Sequence, residues 1–458
     1  MYYGLRKTAR LRRERECVVL LSTDEKGNLR YLHPLIAVLL ALCNGQRSGE
    51  ELMRVLTEAF RLPAESAREL VGRLGCELAP FVTASPEPLA AANRYDPLDF
   101  VYQPSGDPHL RRLTAPVFVA WLVTERCPFD CVYCCIQTRP AAAPPDGEMT
   151  GEQAFRFLDD CIASGVQVVT FHGGEPFLRK DTPEMIGYLI SRGVAVSISS
   201  KLALSEEIAR RLAGAGLDEM QVSIDTDDHD AADRMVGHHN YLRGALANIE
   251  LLRRHGIAAT INTVVTGRNV RDIPRLIRFL AARGVKEIAL SGYLRSFRKH
   301  NDELLAGADA LRKMAAEVDA LRPELPGVEI GMCSLHDPRE VSLARAEGFS
   351  ACSGGRSGLV VGADGRVSLC DRLLPFEETT VGNVTEESLL DIWNGQRLRA
   401  FLDPGDEAFA GTECAGCGLK SDCDWRVRCY YRSQMIEQRV FAPDHLCPVV
   451  PAPSIRFF

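Results

Sequence analysis

Three cysteines stand within eight residues as Cys127-Pro128-Phe129-Asp130-Cys131-Val132-Tyr133-Cys134, just after the apolar run Val117 to Val123. Thiolates at this spacing can wrap one face of a four-iron cluster and leave the fourth iron open. A structural zinc ion would instead need a fourth ligand, from Cys135 or a distant histidine. A second group comprises Cys352 and Cys370, with Gly365 between them, then Cys414, Cys417, Cys423, Cys429 and Cys447. These seven cysteines lie where secondary-structure signals thin, and a loop-rich segment without a hydrophobic core needs metal staples. Alone, Cys414 to Cys429 would also suit a four-cysteine zinc ribbon. Between the two groups, His172-Gly173-Gly174-Glu175-Pro176 follows another apolar run. Paired glycines let backbone approach a ligand closely, and a carboxylate there can accept hydrogen bonds from an ammonium group.

Six apolar runs, 117–123, 166–171, 194–199, 219–224, 257–265 and 285–290, alternate with helical patterns such as Gly151 to Ala163 and Leu242 to Arg254. This predicts an α/β class with a parallel sheet, open or curled into a partial barrel. Ligands of such sheets bind at the carboxyl ends of the strands, where the cysteine and Gly-Gly motifs fall. Residues 295–345 read as a helical bridge and 346–458 as the metal-stapled segment. Residues 17–32 predict a hairpin turning at Asp24 to Gly27, and helices follow at 34–43, 48–60 and 64–78, the second capped by Ser48. This makes a small domain over 1–82. Six prolines between residues 86 and 116 predict a linker over 83–116, so that the strand–helix domain spans 117–294.

The 458 residues, 46% hydrophobic and 25% charged, suit about three globular domains. A formal charge of −7 gives no field toward nucleic acid or an anionic membrane. The apolar runs fall far short of the ~18 residues that span a bilayer, and the basic stretch Arg6 to Arg15 precedes no signal-peptide core. A soluble cytoplasmic protein follows as the expectation, its 16 cysteines serving as ligands or buried small residues rather than disulfides. His238, His239 and the basic stretch Arg295 to His300 read as solvated surface, the basic stretch alternatively as a face toward a bound peptide.

The C-x3-C-x2-C motif with Tyr133 before its last cysteine resembles the signature of the radical S-adenosylmethionine (SAM) family. The resemblance implies a partial (β/α)6 TIM-like barrel, and a [4Fe-4S] cluster on Cys127, Cys131 and Cys134 whose open iron is chelated by SAM. Cleavage to a 5'-deoxyadenosyl radical is then the expected activity. Gly173, Gly174, Glu175 and Pro176 are similar to the family's GGEP segment. Ser199-Ser200-Lys201 stands where many relatives have Thr-Asn-Gly, making Ser199 a ribose contact and Lys201 a departure. Ser223 and Asp225 match the family's S-x-D. Many relatives then carry R-x-R before a glycine, whereas here Arg234 precedes Met235-Val236-Gly237. The second arginine, expected to hold the SAM carboxylate, is missing, which leaves Arg234 as its substitute.

The C-terminal array resembles the SPASM domain, which carries two auxiliary clusters. By that family's crossed arrangement Cys414, Cys417, Cys423 and Cys447 hold the distal cluster, and Cys352, Cys370 and Cys429 the proximal one. Its fourth ligand is either Cys333 or an open site. Three [4Fe-4S] clusters result, and Asp371 resembles the general base of sulfatase-maturing relatives. Residues 1–82 are similar to the winged-helix-like recognition element that binds leaders of ribosomally synthesised, post-translationally modified peptides. The resemblance therefore implies a peptide maturase forming a thioether or carbon–carbon crosslink, served by a flavodoxin or ferredoxin. The alternatives are maturation of a protein side chain or of a peptide-derived redox cofactor, and, without catalysis, a zinc-stapled binding protein.

Overall fold

Val18 to Leu21 and Leu32 to Leu42 bring enough apolar side chain together for a core independent of the later strands. In the computed structural model this core belongs to the first of two compact units, residues 1–114 and 115–458. The structure describes residues 1–6, 8–14, 17–22, 28–92, 94–103, 112–333, 352–420, 428–444, 447 and 449–450.

In the first unit, Tyr2–Leu5 (β1), Ala9–Arg13 (β2), Val18–Ser22 (β3), Asn28–Leu32 (β4), Asn44–Ser48 (β5) and Val82–Ser85 (β6) form two three-stranded sheets. Their orders are β2-β3-β4 and β5-β1-β6, all antiparallel. Helices Pro34–Leu42 (α1), Gly49–Glu58 (α2) and Ala64–Gly72 (α3) pack with them around Leu20, Leu39, Leu40, Leu52 and Phe81. Ser48 and Glu51 close a capping box at 3.3 and 2.8 Å, a device that stabilises a helix start by about 1 kcal/mol. The predicted hairpin is thus one pair of a meander, and its turn at 24–27 lies outside the described residues. The third helix stops at Gly72 instead of residue 78, giving way to a single tighter turn, Arg73–Gly75.

Two expectations for this unit are corrected. Asn44–Ser48, polar and expected to connect two helices, is a strand, because its backbone pairs with β1 and Gly45 takes φ +85. Residues 83–103 are not a free linker. The amides of Leu89 and Ala92 donate to Gly45 and Asn44 at 2.8 and 3.0 Å, the Tyr95 hydroxyl accepts from Leu11 N at 3.0 Å, and Phe100 is buried. Prolines remove donors at their own positions, but the amides between them remain free to pair.

In the second unit, Phe118–Thr124 (β7) enters a sheet that avoids a short parallel bridge between Arg126–Cys127 (β8) and Arg139–Pro140 (β9). Val168–Gly173 (β10), Ala195–Ser200 (β11), Glu219–Ser223 (β12), Ala258–Val265 (β13) and Glu287–Gly292 (β14) continue it in parallel from β7. Helices Gly151–Ala163 (α4), Thr182–Ser191 (α5), Glu206–Gly214 (α6), His229–Val236 (α7), Tyr241–Arg254 (α8) and Ile273–Ala281 (α9) make the crossovers. The six predicted strands therefore form the partial (β/α)6 barrel. Its wall is dense: Trp121 is fully buried, with Phe157 and Phe171 at ring distances of 5.4 and 5.6 Å.

The sheet has ten strands, because four further strands add to its two sides. The expected helical bridge holds one long helix, Ala308–Leu321 (α10), but then a strand, Glu329–Cys333 (β15), which pairs parallel with β14. Five residues with a central glycine give too little alternation to reveal a strand. On the other side Gly358–Val361 (β16) runs parallel to β7, followed antiparallel by Arg366–Ser368 (β17) and Gly382–Asn383 (β18). Helices Leu389–Asn394 (α11), Gln396–Leu402 (α12) and Tyr430–Glu437 (α13) complete the described chain. Among the described residues, no helix is long and apolar enough to cross a membrane.

Candidate active site

The loop Cys127 to Cys134 is held by backbone on two sides. Thr124 and Arg126, at the exit of β7, accept from the amides of Gly174 and Glu175 at 2.7 and 2.8 Å. On the other side the carbonyls of Val236 and Met235, at the end of α7, accept from Asp130 N and Val132 N, both at 2.9 Å. The glycines answer to this packing. A Cβ on Gly173 would stand 2.4 Å from the Thr124 carbonyl oxygen, and one on Gly174 would stand 2.1 Å from that of Arg126. The pair thus seats the cysteine loop on β10, a nearer cause than close approach to a ligand. Gly237, at φ +68, meets Asp130 in the same way.

The thiols of Cys127 and Cys131 are pushed up to about 12 and about 11, mainly by burial, with the neighbouring Cys134 adding to it. Iron bound to these sulfurs would take them as thiolates. Among the described residues, no three His, Cys, Asp or Glu side chains converge on a single ion. A four-iron cluster requires no such convergence, since each thiolate takes a separate iron.

Beside this loop the ends of β10, β11 and β12 are cross-linked. Glu175 is buried and accepts from Ser200 Oγ at 2.7 Å, Lys201 N at 3.1 Å and Phe177 N at 3.3 Å. Burial raises its carboxyl above the ordinary range. Asp225, also buried and raised by desolvation, accepts from Val264 N at 2.8 Å and from the Tyr133 hydroxyl. The Tyr241 hydroxyl donates to the Ser223 carbonyl, and Pro176 starts a short turn whose carbonyl accepts from Thr182 Oγ1 at 2.8 Å. Glu175, Ser223, Asp225 and Tyr133 therefore meet around the loop, with Ser199 half-buried on β11. Ser200 was missed. Strand alternation buries Ile198 and Ser200, which puts Ser200 rather than its neighbour on Glu175.

Arg234 does not join them. It is exposed on α7 and lines a cavity of about 310 Å³ with Arg268 and Arg275. The reason is helical phase: Met235 and Val236 take the buried face, so Arg234 turns outward.

The stretch expected to be solvated surface, Arg295 to His300, is instead a strap across the cysteine loop. Lys299 Nζ pairs with Asp130 and donates to the Cys131 carbonyl at 3.1 Å, and Ser296 Oγ, which donates to the Lys299 carbonyl at 2.6 Å, lies 3.4 Å from that of Cys134. Arg298 donates to the Ile136 carbonyl and to Thr138 at 2.9 and 2.6 Å. From its other side, Phe297 N donates to the Tyr431 hydroxyl at 2.9 Å, and the Phe297 ring lies 5.2 Å from that of Phe376. His238 and His239 are exposed, as expected, with the His238 ring 5.1 Å from that of Phe129 and His239 bonded to Asp233 at 3.1 Å.

The C-terminal cysteines fall into two electrostatic sets. Cys370 feels Cys429, and Arg432 feels both Cys429 and Cys352. Cys414 feels Cys417 and Cys447, and its sulfur accepts from Arg428 Nη2 at 3.5 Å. Cys423 lies outside the described residues, as does the side chain of Cys333 at the end of β15. Asp371 accepts from Cys370 Sγ at 3.2 Å and Arg372 N at 2.9 Å. Its charge reaches His172, whose buried Nε2 has no partner among the described residues. Arg372, unmarked by any motif, has its guanidinium 5.6 Å from the Tyr431 ring, and its charge reaches Cys135 and Cys370.

Comparison with known proteins agrees with this arrangement. Residues 121–280 match the Radical SAM superfamily and residues 352–418 the SPASM iron-sulfur cluster-binding domain. The chain is similar to the PqqA peptide cyclase of Granulibacter bethesdensis, 29% identical over 66% of this chain and 79% of that protein. It is also similar to the AdoMet-dependent heme synthase of Methanosarcina barkeri, 27% identical over 69% of this chain and 93% of that protein. In fold it resembles Streptococcus suis SuiB bound to its precursor peptide SuiA, with a TM-score of 0.65 at 16% identity, covering 98% of this chain and 100% of that one. A loop of three cysteines beyond β7, seated on a Gly-Gly-Glu turn and followed by a C-terminal cysteine array, belongs to a radical SAM enzyme with a SPASM domain.

Proposed function

We propose that the enzyme oxidatively modifies a ribosomally synthesised precursor peptide, closing a thioether or carbon–carbon crosslink. The likeness in fold to SuiB over nearly the whole chain carries the reading, because it extends through the N-terminal unit and that protein was solved with its precursor peptide. The likeness in sequence to PqqA peptide cyclase supports it.

Cys127, Cys131 and Cys134 hold the SAM-binding cluster. Cys414, Cys417, Cys423 and Cys447 hold a distal auxiliary cluster, and Cys352, Cys370 and Cys429 a proximal one completed by Cys333 or left open. A cluster held on Cys127, Cys131 and Cys134, with a flavodoxin or ferredoxin as donor, would supply the one-electron chemistry that reductive SAM cleavage requires. Glu175, Ser199, Ser223 and Asp225 shape the SAM site, with Tyr133 fixed on Asp225. Asp371, whose charge reaches His172, receives the proton that leaves the substrate, and auxiliary clusters would supply an acceptor for its surplus electron.

The leader docks on the first unit as an added strand. The outer edge of β2 is covered, since Arg94 donates to the Ala9 carbonyl at 2.6 Å and Leu11 N to Tyr95. This favours β4, the other edge of that sheet, as the docking strand. The test is mass-spectrometric turnover of the cognate precursor, taken from the open reading frames beside the gene. Loss of two hydrogens coupled to SAM cleavage, dependent on the leader and on Cys127, is expected. Equal turnover of a leaderless core would remove the docking role.

A further inference from the structure

Two departures from the family pattern both adjoin the cysteine loop. Where relatives carry the second arginine of R-x-R, this chain has Val236, which is buried and holds the cysteine loop through its carbonyl. Where relatives carry a glycine after the third barrel strand, it has Lys201. A cation is lost from one wall of the site and gained on another.

Lys201 is well placed to use its charge. Its amide is fixed on Glu175 at 3.1 Å, and its ammonium lies 5.6 Å from the centre of the Tyr133 ring, inside the cysteine motif. Its charge is felt at Cys131, Glu175 and Asp225. These neighbours are acceptors or anions: two buried carboxyls and thiols that become thiolates on iron. A methionyl group entering this site brings a carboxylate, which acceptor-only surroundings would repel and strip of water. Arg234 points elsewhere, and Lys299 is already engaged by Asp130 and the Cys131 carbonyl.

We propose that the ammonium of Lys201 binds the carboxylate of SAM's methionyl group, replacing the arginine absent from α7. It thereby orients the methionyl end over the cysteine loop as a SAM-binding residue.

The test uses the reconstituted full-length enzyme and two ligands, SAM and decarboxylated SAM, which keeps the sulfonium and the amine. Affinities come from calorimetry, and the electron paramagnetic resonance of the reduced cluster is recorded with and without each ligand. Lys201→Met is expected to weaken SAM by about tenfold or more while changing the affinity for decarboxylated SAM less than about threefold, and Lys201→Arg to restore most of the difference. The SAM-induced spectral change should then need proportionally more SAM in Lys201→Met. Equal losses for both ligands, with iron content intact, would overturn the proposal and leave Lys201 as a counter-charge for Glu175 and Asp225. Should Lys201→Met fail to retain iron, the same comparison is made in Lys201→Gln, which keeps a polar side chain. Unchanged SAM affinity there would also overturn it.

Discussion

Gly174 shows how a single hydrogen in place of a methyl group can govern a metal site. Its missing Cβ leaves room for the Arg126 carbonyl, and the clash in a Gly174→Ala chain would be with backbone, which cannot swing aside. That variant is expected to lose the iron of the first cluster, about four atoms per chain, while keeping the C-terminal iron, as read by iron and sulfide analysis. Full iron retention would show that the loop shifts at little cost. Glu175 carries a pH signature. Burial raises its carboxyl, so the neutral form favours the fold: this stability is fully present below the unfolded carboxylate pKa and is lost as pH rises through the folded value. In denaturant titrations of the metal-free chain between about pH 4 and 7, Glu175→Gln should therefore gain on the native sequence as pH rises. A gap that stays constant with pH would mean the carboxyl is not the source.

At the scale of elements, 295–300 has no regular secondary structure yet ties two regions that lie far apart in sequence. It reaches the carbonyls of Cys131 and Cys134 on one side and Tyr431, two residues beyond Cys429, on the other. Hydrogen bonds around cluster ligands tune both retention and potential. Lys299→Met is expected to release first-cluster iron to a chelator several-fold faster and to shift the cluster's resonance, with Lys299→Arg close to native. Tyr431→Phe removes the hydroxyl that joins α13 to the strap, and a smaller shift of the same resonance should follow. No change in either variant would make the strap a surface loop after all.

At the scale of the molecule, each unit has its own reasons to fold. The core of residues 1–114 draws on residues 9–100, and the ten-stranded sheet lies wholly within 115–458. A chain beginning at residue 115 is therefore expected to fold, bind iron and cleave SAM when reduced, but to lose affinity for the leader in fluorescence anisotropy. Retained leader affinity would move the docking site onto the second unit. In the full chain, reconstitution should yield about 12 irons, falling by about 4 when Cys127, Cys131 and Cys134 are all alanine. A starting value near 8 would remove one auxiliary cluster.

What the sequence determined by itself was everything set by local spacing: the C-x3-C-x2-C loop at a strand end, the Gly-Gly-Glu turn one strand later, the six apolar runs and the spacing of the C-terminal cysteines. Such patterns are legible because strand alternation and ligand spacing act over a few residues. Only the tertiary structure decided which side chains meet. Strand phase chose Ser200 over Ser199 for Glu175, helix phase turned Arg234 away, and packing brought Lys201 to Tyr133 across 67 intervening residues. Strands β5 and β15 were hidden for a related reason. Their residues have little strand preference of their own, and they are strands because backbone hydrogen bonds from β1 and β14 reach them only after the chain has folded.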